Sequence, residues 1–371
     1  MSHRVTFLTA AVLLCTLLAA GCGGTLDPAP KHNEIRFEAG SLLLQNDAPQ
    51  TKLGAPISGT SFPNGSSFLL YGRKNTESLL FSPREISLSG SNWGYSNPEQ
   101  WEWTSSTDYY DFLALYLGDL YDLNRPSVPI PSCNTGSPMY ASVAYDPSVD
   151  QFDLMLAGKR RTYDDPEGRT STVHMSFEHM LCAVQLKVWN GSSSKAFTVT
   201  GYHFENLVSR GTAKVEAGAT PTYSWTSTSR LATSVGGTAN LSSAELSALG
   251  AANFIPHNYS AGEAQGNHNY YDLMIPQSHT EKIGADGWPA IVLEYTPDGG
   301  APTSVRILLK EIYTDPELGA PTLISSWERS KIYVYVVKLS LDGGIQIHVT
   351  TSDWDPVVAE TPGLLLPTLG S

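Results

Sequence analysis

Three observations predict an all-β fold for this 371-residue chain. Its 32 Gly and 24 Pro break the sequence at short intervals, as turns between strands do. Eighteen Tyr and eight Trp, together with many Ser and Thr, suit pleated, half-buried surfaces. Where apolar residues are periodic, the period is mostly two, that of a strand.

The first residues read differently. Arg4 precedes an apolar run from Val5 to Ala20, which is followed by Gly21-Cys22. A positive start, a short apolar core and small residues before the cut describe an export signal. With a Cys directly after Ala19-Ala20-Gly21, residues 1–21 read as a lipoprotein signal peptide. The Cys22 thiol would be acylated and become the mature N-terminus. Leu18 lies one place further from the Cys than in the usual signal. The rival reading, a transmembrane helix, needs about 18 apolar residues or more, and the run is shorter. Residues 22–33, with Pro28 and Pro30, read as a tether from the lipid.

The first strand follows. Ile35, Phe37 and Ala39 share one face and Glu34, Arg36 and Glu38 the other. The polar loop from Gln45 to Gly54 carries Lys52. Ser67 to Gly72 and Glu85 to Leu88 read as strands, and Gly90 to Pro98 as a turn-rich link into Trp101-Glu102-Trp103. The run from Tyr109 to Leu123 is apolar without a clear period and is assigned to a strand.

From Val173 to Trp189 the alternation changes phase. Val173, Met175 and Phe177 are apolar at odd positions, while Met180, Cys182, Val184, Leu186 and Val188 are apolar at even ones. A one-residue slip reverses the faces of a strand, so the chain must bulge or change sheets near Glu178 and His179. The boundary between an N-terminal β-sandwich, residues 34–172, and a C-terminal one, residues 173–371, is placed here. In the second half, Ser242-Ser243-Ala244-Glu245 reads as a capping box and Gly250 as a helix terminator. Ala290 to Tyr295 and Ser304 to Leu309 flank Pro297-Asp298-Gly299-Gly300, and Lys331 to Leu341 and Ile345 to Val349 flank Asp342-Gly343-Gly344, both hairpin signals. The tail after Trp354 contains Pro356, Pro362 and Pro367, which restrict it to an edge position or to none.

A net charge of −13 argues against nucleic acid or an anionic membrane surface as partner, since no basic patch exists to release counterions. No nucleophile elbow and no helix-borne His pair occurs, so no catalytic residue, metal ligand or cofactor is expected and the chain reads as a non-enzyme. His174 and His179 read as packed or hydrogen-bonded histidines. Asp146, Asp150 and Asp153 lack the ligand spacing of a calcium loop and read as solvated carboxylates. With Cys15 in the signal and Cys22 acylated, Cys133 and Cys182 remain; a buried thiol is the preferred reading over a disulfide, and the sequence leaves the pairing open. Trp93, Tyr95, Trp101, Trp103, Tyr109 and Tyr110 could stack on sugar rings or fill a sandwich core.

Several segments occur in a meaningful order: Ile35 to Ala39, Gln50-Thr51-Lys52, Phe68 to Gly72, Phe152 to Ala157, Ser176 to Leu181, Ile275-Pro276-Gln277, Tyr333 to Val336 and Asp353-Trp354. Together they resemble the fimbrillin family of Bacteroidales lipoproteins, the type V pilin-like subunits, over nearly the whole mature chain. The resemblance implies two transthyretin-like β-sandwich domains in series, an outer-membrane lipid anchor and a place at the cell surface or in a fimbrium. It also implies cleavage by an arginine-specific protease in the loop after the first strand, and filling of the vacated groove by a strand of a neighbouring subunit. The implied partners are other fimbrial subunits, through strand addition, and a host or bacterial surface ligand. Where stalk subunits of the family carry Thr-Arg, this chain has Thr51-Lys52, and a protease selecting a bidentate guanidinium cuts poorly after lysine. That departure and the proline-bearing tail leave stalk, anchor, accessory and tip roles open, with Lys52 the candidate maturation site. The alternative reading is a surface glycan-binding lipoprotein for nutrient capture, which an exposed platform of parallel aromatic rings would favour.

Overall fold

The computed structural model describes residues 34–40, 62–118, 130–147, 151–166, 168–192, 195–230, 254–255, 271–282, 287–314, 316, 319–340 and 344–354. Cys22, Lys52, the loop from Gln45 to Gly54, the capping box at Ser242 to Glu245 and the tail after Trp354 lie outside the described residues. Among the described residues the structure is nearly all β, as the composition and the period of two predict.

A six-stranded antiparallel sheet has the order β10-β8-β5-β2-β3-β4, formed by β2 (Ser67–Lys74), β3 (Leu79–Ser89), β4 (Asn92–Gly94), β5 (Tyr109–Leu117), β8 (Leu154–Thr162) and β10 (Glu178–His179). Its central strands are apolar almost without break because both faces are covered. That double burial is why the run from Tyr109 shows no clear period. Alternate residues of each strand, Leu69 and Tyr71, Leu113 and Leu115, Leu154 and Leu156, join one buried cluster. Their neighbours Phe68 and Leu70, Phe112 and Ala114, Met155 and Ala157 join a second.

The first cluster is closed by a four-stranded sheet of order β14-β13-β7-β6, with β6 (Ser132–Asn134), β7 (Tyr140–Tyr145), β13 (Val208–Glu216) and β14 (Thr222–Arg230). Here the two halves of the chain meet in one sheet: β13 pairs antiparallel with β7, from Gly211 opposite Tyr145 to Glu216 opposite Tyr140. The second cluster is closed by β1 (Phe37–Gly40) and β9 (Val173–Ser176), a parallel pair with Phe37 opposite Val173.

Two further four-stranded sheets share a third buried cluster, as faces of a β-sandwich do. One has the order β16-β11-β21-β22, with β11 (Cys182–Asn190), β16 (Asp272–Met274), β21 (Lys331–Ser340) and β22 (Gly344–Asp353). The other has the order β15-β12-β18-β19, with β12 (Phe197–Glu205), β15 (Phe254–Ile255), β18 (Ala290–Pro297) and β19 (Thr303–Leu308). A small antiparallel pair, β17 (Gln277–Ser278) and β20 (Ser326–Trp327), adds Trp327 to the third cluster.

Both predicted hairpins form. β18 pairs with β19 across a turn in which Gly299 adopts φ +71°, a conformation that favours glycine. β21 pairs with β22 from Lys331 opposite Asp353 to Ser340 opposite Gly344. The phase change after Val173 has a clear cause: the chain changes sheets twice, pairing through β9 with β1, through β10 with β8 and through β11 with β16 and β21. Val173 and Met175 therefore face one core, whereas Cys182, Val184, Leu186 and Val188 face another.

Candidate assembly site: the first strand and its groove

The groove is built on β2, β3 and β5. Gly72 makes room within it, because a Cβ there would lie 2.7 Å from the Phe81 ring and 3.0 Å from the Phe112 ring. The Phe81 and Phe112 rings fill that space, and Phe37 packs on both. Its ring meets Phe112 edge-on at 5.3 Å and Phe81 edge-on at 5.7 Å. Ile35 and Phe37 are buried, Ala39 is half-buried, and Arg36 and Glu38 are exposed, as the alternation predicts. Burying a Phe and an Ile contributes roughly 3–6 kcal/mol together. β1 is shorter than the alternation suggests, since Glu34 makes only an isolated bridge with Gln100.

The main chain of this segment is held on both sides. Val173 N–H donates to Arg36 O at 2.8 Å, continuing the β9 side. On the opposite side Ile35 N–H donates to Glu99 O at 2.8 Å, Tyr95 Oη donates to Ile35 O at 2.7 Å, and Trp93 Nε1 donates to Ala39 O at 3.2 Å. Burial pushes the Tyr95 hydroxyl up to about 12, with the Glu99 backbone bond opposing. Glu38 and His174, opposite one another in the β1–β9 pair, make an exposed contact at 3.0 Å.

The aromatic residues singled out in the sequence gather here, and they pack on one another. Trp101 and Tyr110 are buried; Trp93, Tyr95 and Trp103 are partly buried against the same cluster. Trp103 stacks on Trp101 at 5.5 Å, so one ring covers the face of the other. Tyr109 lies under the Arg160 guanidinium at 4.1 Å. The role of Tyr95 and Trp93 as donors to the first strand has no sequence signal, because 60 and 54 positions separate them from their acceptors.

The remaining candidates are dispersed. Asp146 pairs with Arg210 at 2.5 Å, and Asp153 is buried against His179 at 2.8 Å rather than solvated. That departure from the sequence reading arises because β10 brings His179 beside the start of β8. The His179 ring also stacks on Trp354 at 4.3 Å. No group of three or more His, Cys, Asp or Glu that could hold a metal occurs among the described residues. Cys133 and Cys182 are both free thiols. Burial raises both thiol pKa values, that of Cys133 to about 11, which suppresses the reactive thiolate.

These features define a class: a β protein whose first strand is a short insert in an aromatic-lined groove, held by another strand's backbone and by two ring donors. A family model described as fimbrillin-like matches residues 58–354, and the chain belongs to that family. The fold is similar to that of a fimbrial protein from Bacteroides vulgatus, at 11% identity and TM-score 0.54, covering 87% of this chain and 99% of that one. A candidate cell adhesion protein from Bacteroides uniformis is similar at 14% identity and TM-score 0.47, covering 88% and 100%. A fimbrial assembly protein from Parabacteroides distasonis is similar at 9% identity and TM-score 0.35, covering 78% and 92%. No curated protein matches the chain.

Proposed function

We propose that this chain is a fimbrial subunit, anchor or accessory pilin, carried to the outer membrane as a lipoprotein acylated at Cys22 and joined to its neighbours by strand addition. The observation that carries the reading is the seating of β1. With the residues just before it, β1 buries Ile35 and Phe37 in the groove, and residues 41–61 separate it from Phe62, the next described residue. A cut within Gln45 to Gly54 would let the first strand leave. The groove would then present two apolar pockets and an unpaired β9 edge, which another strand can satisfy. The two-body division near residue 173 belongs to the same reading, with the hairpin β13–β14 lent back to the first body.

Lysine at position 52 makes the cut slow for a protease that selects arginine. Lys52→Arg should therefore increase both trimming and laddering on gels. Trimmed protein that stays monomeric with the first strand demonstrably gone would exclude strand addition. If Lys52→Arg is never cut, an anchor that keeps its first strand is the better description. For the lipid, Cys22→Ser should abolish palmitate labelling and leave unprocessed or soluble protein; unchanged membrane partitioning would count against the anchor.

A further inference from the structure

The edge of β1 away from β9 is satisfied in an unusual way. In a strand the carbonyls of residues i, i+2 and i+4 point to one side. On that side Ile35 O accepts from Tyr95 Oη, and four residues on Ala39 O accepts from Trp93 Nε1. Both acceptors are main-chain atoms. The polar side chains between them take little part in recognition: Arg36 pairs with Glu34 of the same segment at 3.3 Å, and Glu38 meets the exposed His174.

The two donors are held by groups that do not belong to β1. The Tyr95 ring lies edge-on to Phe81 at 5.6 Å and under the Arg84 guanidinium at 5.6 Å, and its oxygen accepts from Glu99 N–H at 3.3 Å. The Trp93 ring packs on Phe68 at 4.9 Å and Phe62 at 5.4 Å. Rings supported in this way keep their donors aimed into the groove, so that a strand finds them in place.

The geometry points to Tyr95 and Trp93 as main-chain clamps, which hold whichever strand occupies the groove by its carbonyls at positions i and i+4. This deepens the proposed function and rests on it. The groove would take a strand of another subunit running parallel to β9, with apolar residues at i and i+2, an aromatic at the second, and a small residue at i+4. The polar residues of that strand are not read.

The test uses the protein trimmed in the loop and freed of its first strand, with three labelled synthetic peptides. One has the sequence Glu34 to Gly40, one replaces Glu34, Arg36 and Glu38 by Gln, and one carries Phe37→Ala. The wild type should bind the first two alike and lose the third by far more. Tyr95→Phe keeps the ring and removes the hydroxyl donor, whereas Trp93→Phe removes the indole N–H together with part of the ring; each should weaken the first two peptides equally, Tyr95→Phe by about tenfold. In uncut protein the same variants should speed hydrogen exchange in β1 by a similar factor. Unchanged capture and exchange in both variants, or a loss that depends on which polar residues the peptide carries, would overturn the clamp. No capture by trimmed wild type would overturn strand replacement and the claim for foreign strands, while exchange in the uncut protein reads the clamp on β1 alone.

Discussion

Phe37 illustrates how much of the site rests on single side chains. It is buried among Phe81, Phe112 and Tyr95, the first two of which sit close over Gly72. Phe37→Ala should cost about 3–5 kcal/mol in urea unfolding, whereas Arg36→Ala, on the exposed face, should stay within about 0.5 kcal/mol. His279 makes a residue-scale prediction of another kind. It is fully buried, its Nδ1 lies 3.2 Å from Ile324 O and its ring stands edge-on to Trp327, and burial lowers its pKa from 6.5 to about 4. Between those values the unfolded chain binds the proton and the folded chain does not, so folding stability is complete above about pH 6.5 and falls as pH drops towards 4. The loss is on the order of 3 kcal/mol, and His279→Gln should remove most of that pH dependence in chemical denaturation. Tyr95 acts in the opposite direction: its pKa is raised, so its contribution is intact below about pH 10 and is lost as pH rises towards 12. β1 should therefore exchange faster in alkali, and Tyr95→Phe should flatten that rise.

At the scale of elements, register decides what the sequence can tolerate. β11 pairs in parallel with β21 from Ala183 opposite Ile332 to Asn190 opposite Leu339, and its alternate residues Val184, Leu186 and Val188 are buried. One residue inserted within Val184 to Val188 would turn that face away from its core and should abolish cooperative folding. One residue inserted beside Asp298 or Gly299, in the turn between β18 and β19, should shift the thermal midpoint by only a few degrees, because turn length can change without moving a buried side chain. Circular dichroism melts of the two insertions compare them directly. The link between β9 and β11 offers no such slack, since Phe177, Met180 and Leu181 are all buried.

The molecule as a whole is tied together across the middle of its sequence. β13 completes a sheet begun by β7, and Trp354, just after β22, stacks its ring on His179 while its backbone N–H donates to Ser330 O at 2.9 Å. Trp354 belongs to the same buried cluster as Leu113, Val143 and Val215. A fragment ending at residue 172 lacks β13 and β14, leaves that cluster open and should fail to give a cooperative melt. Trp354→Ala should cost about 3–5 kcal/mol and lower the melting of the whole chain rather than of its last strand alone. Calorimetry distinguishes the two outcomes: a second, unshifted transition in the variant would show that the halves unfold independently.

Local pattern determined the β class, the inward and outward faces of residues 34–39, the two hairpins and the break near Glu178, because side-chain alternation and turn chemistry operate within a few residues. The same alternation, read against a family order of segments, was sufficient to place the chain among fimbrillins. Tertiary structure decided which strands meet. Nothing in Phe37 specifies Val173 as its partner, nothing in β13 specifies β7, and nothing in Tyr95 or His179 announces Ile35 O or Trp354. Each of those choices joins positions far apart in the chain, and an alternation of period two records only that a face will be buried, not what will bury it.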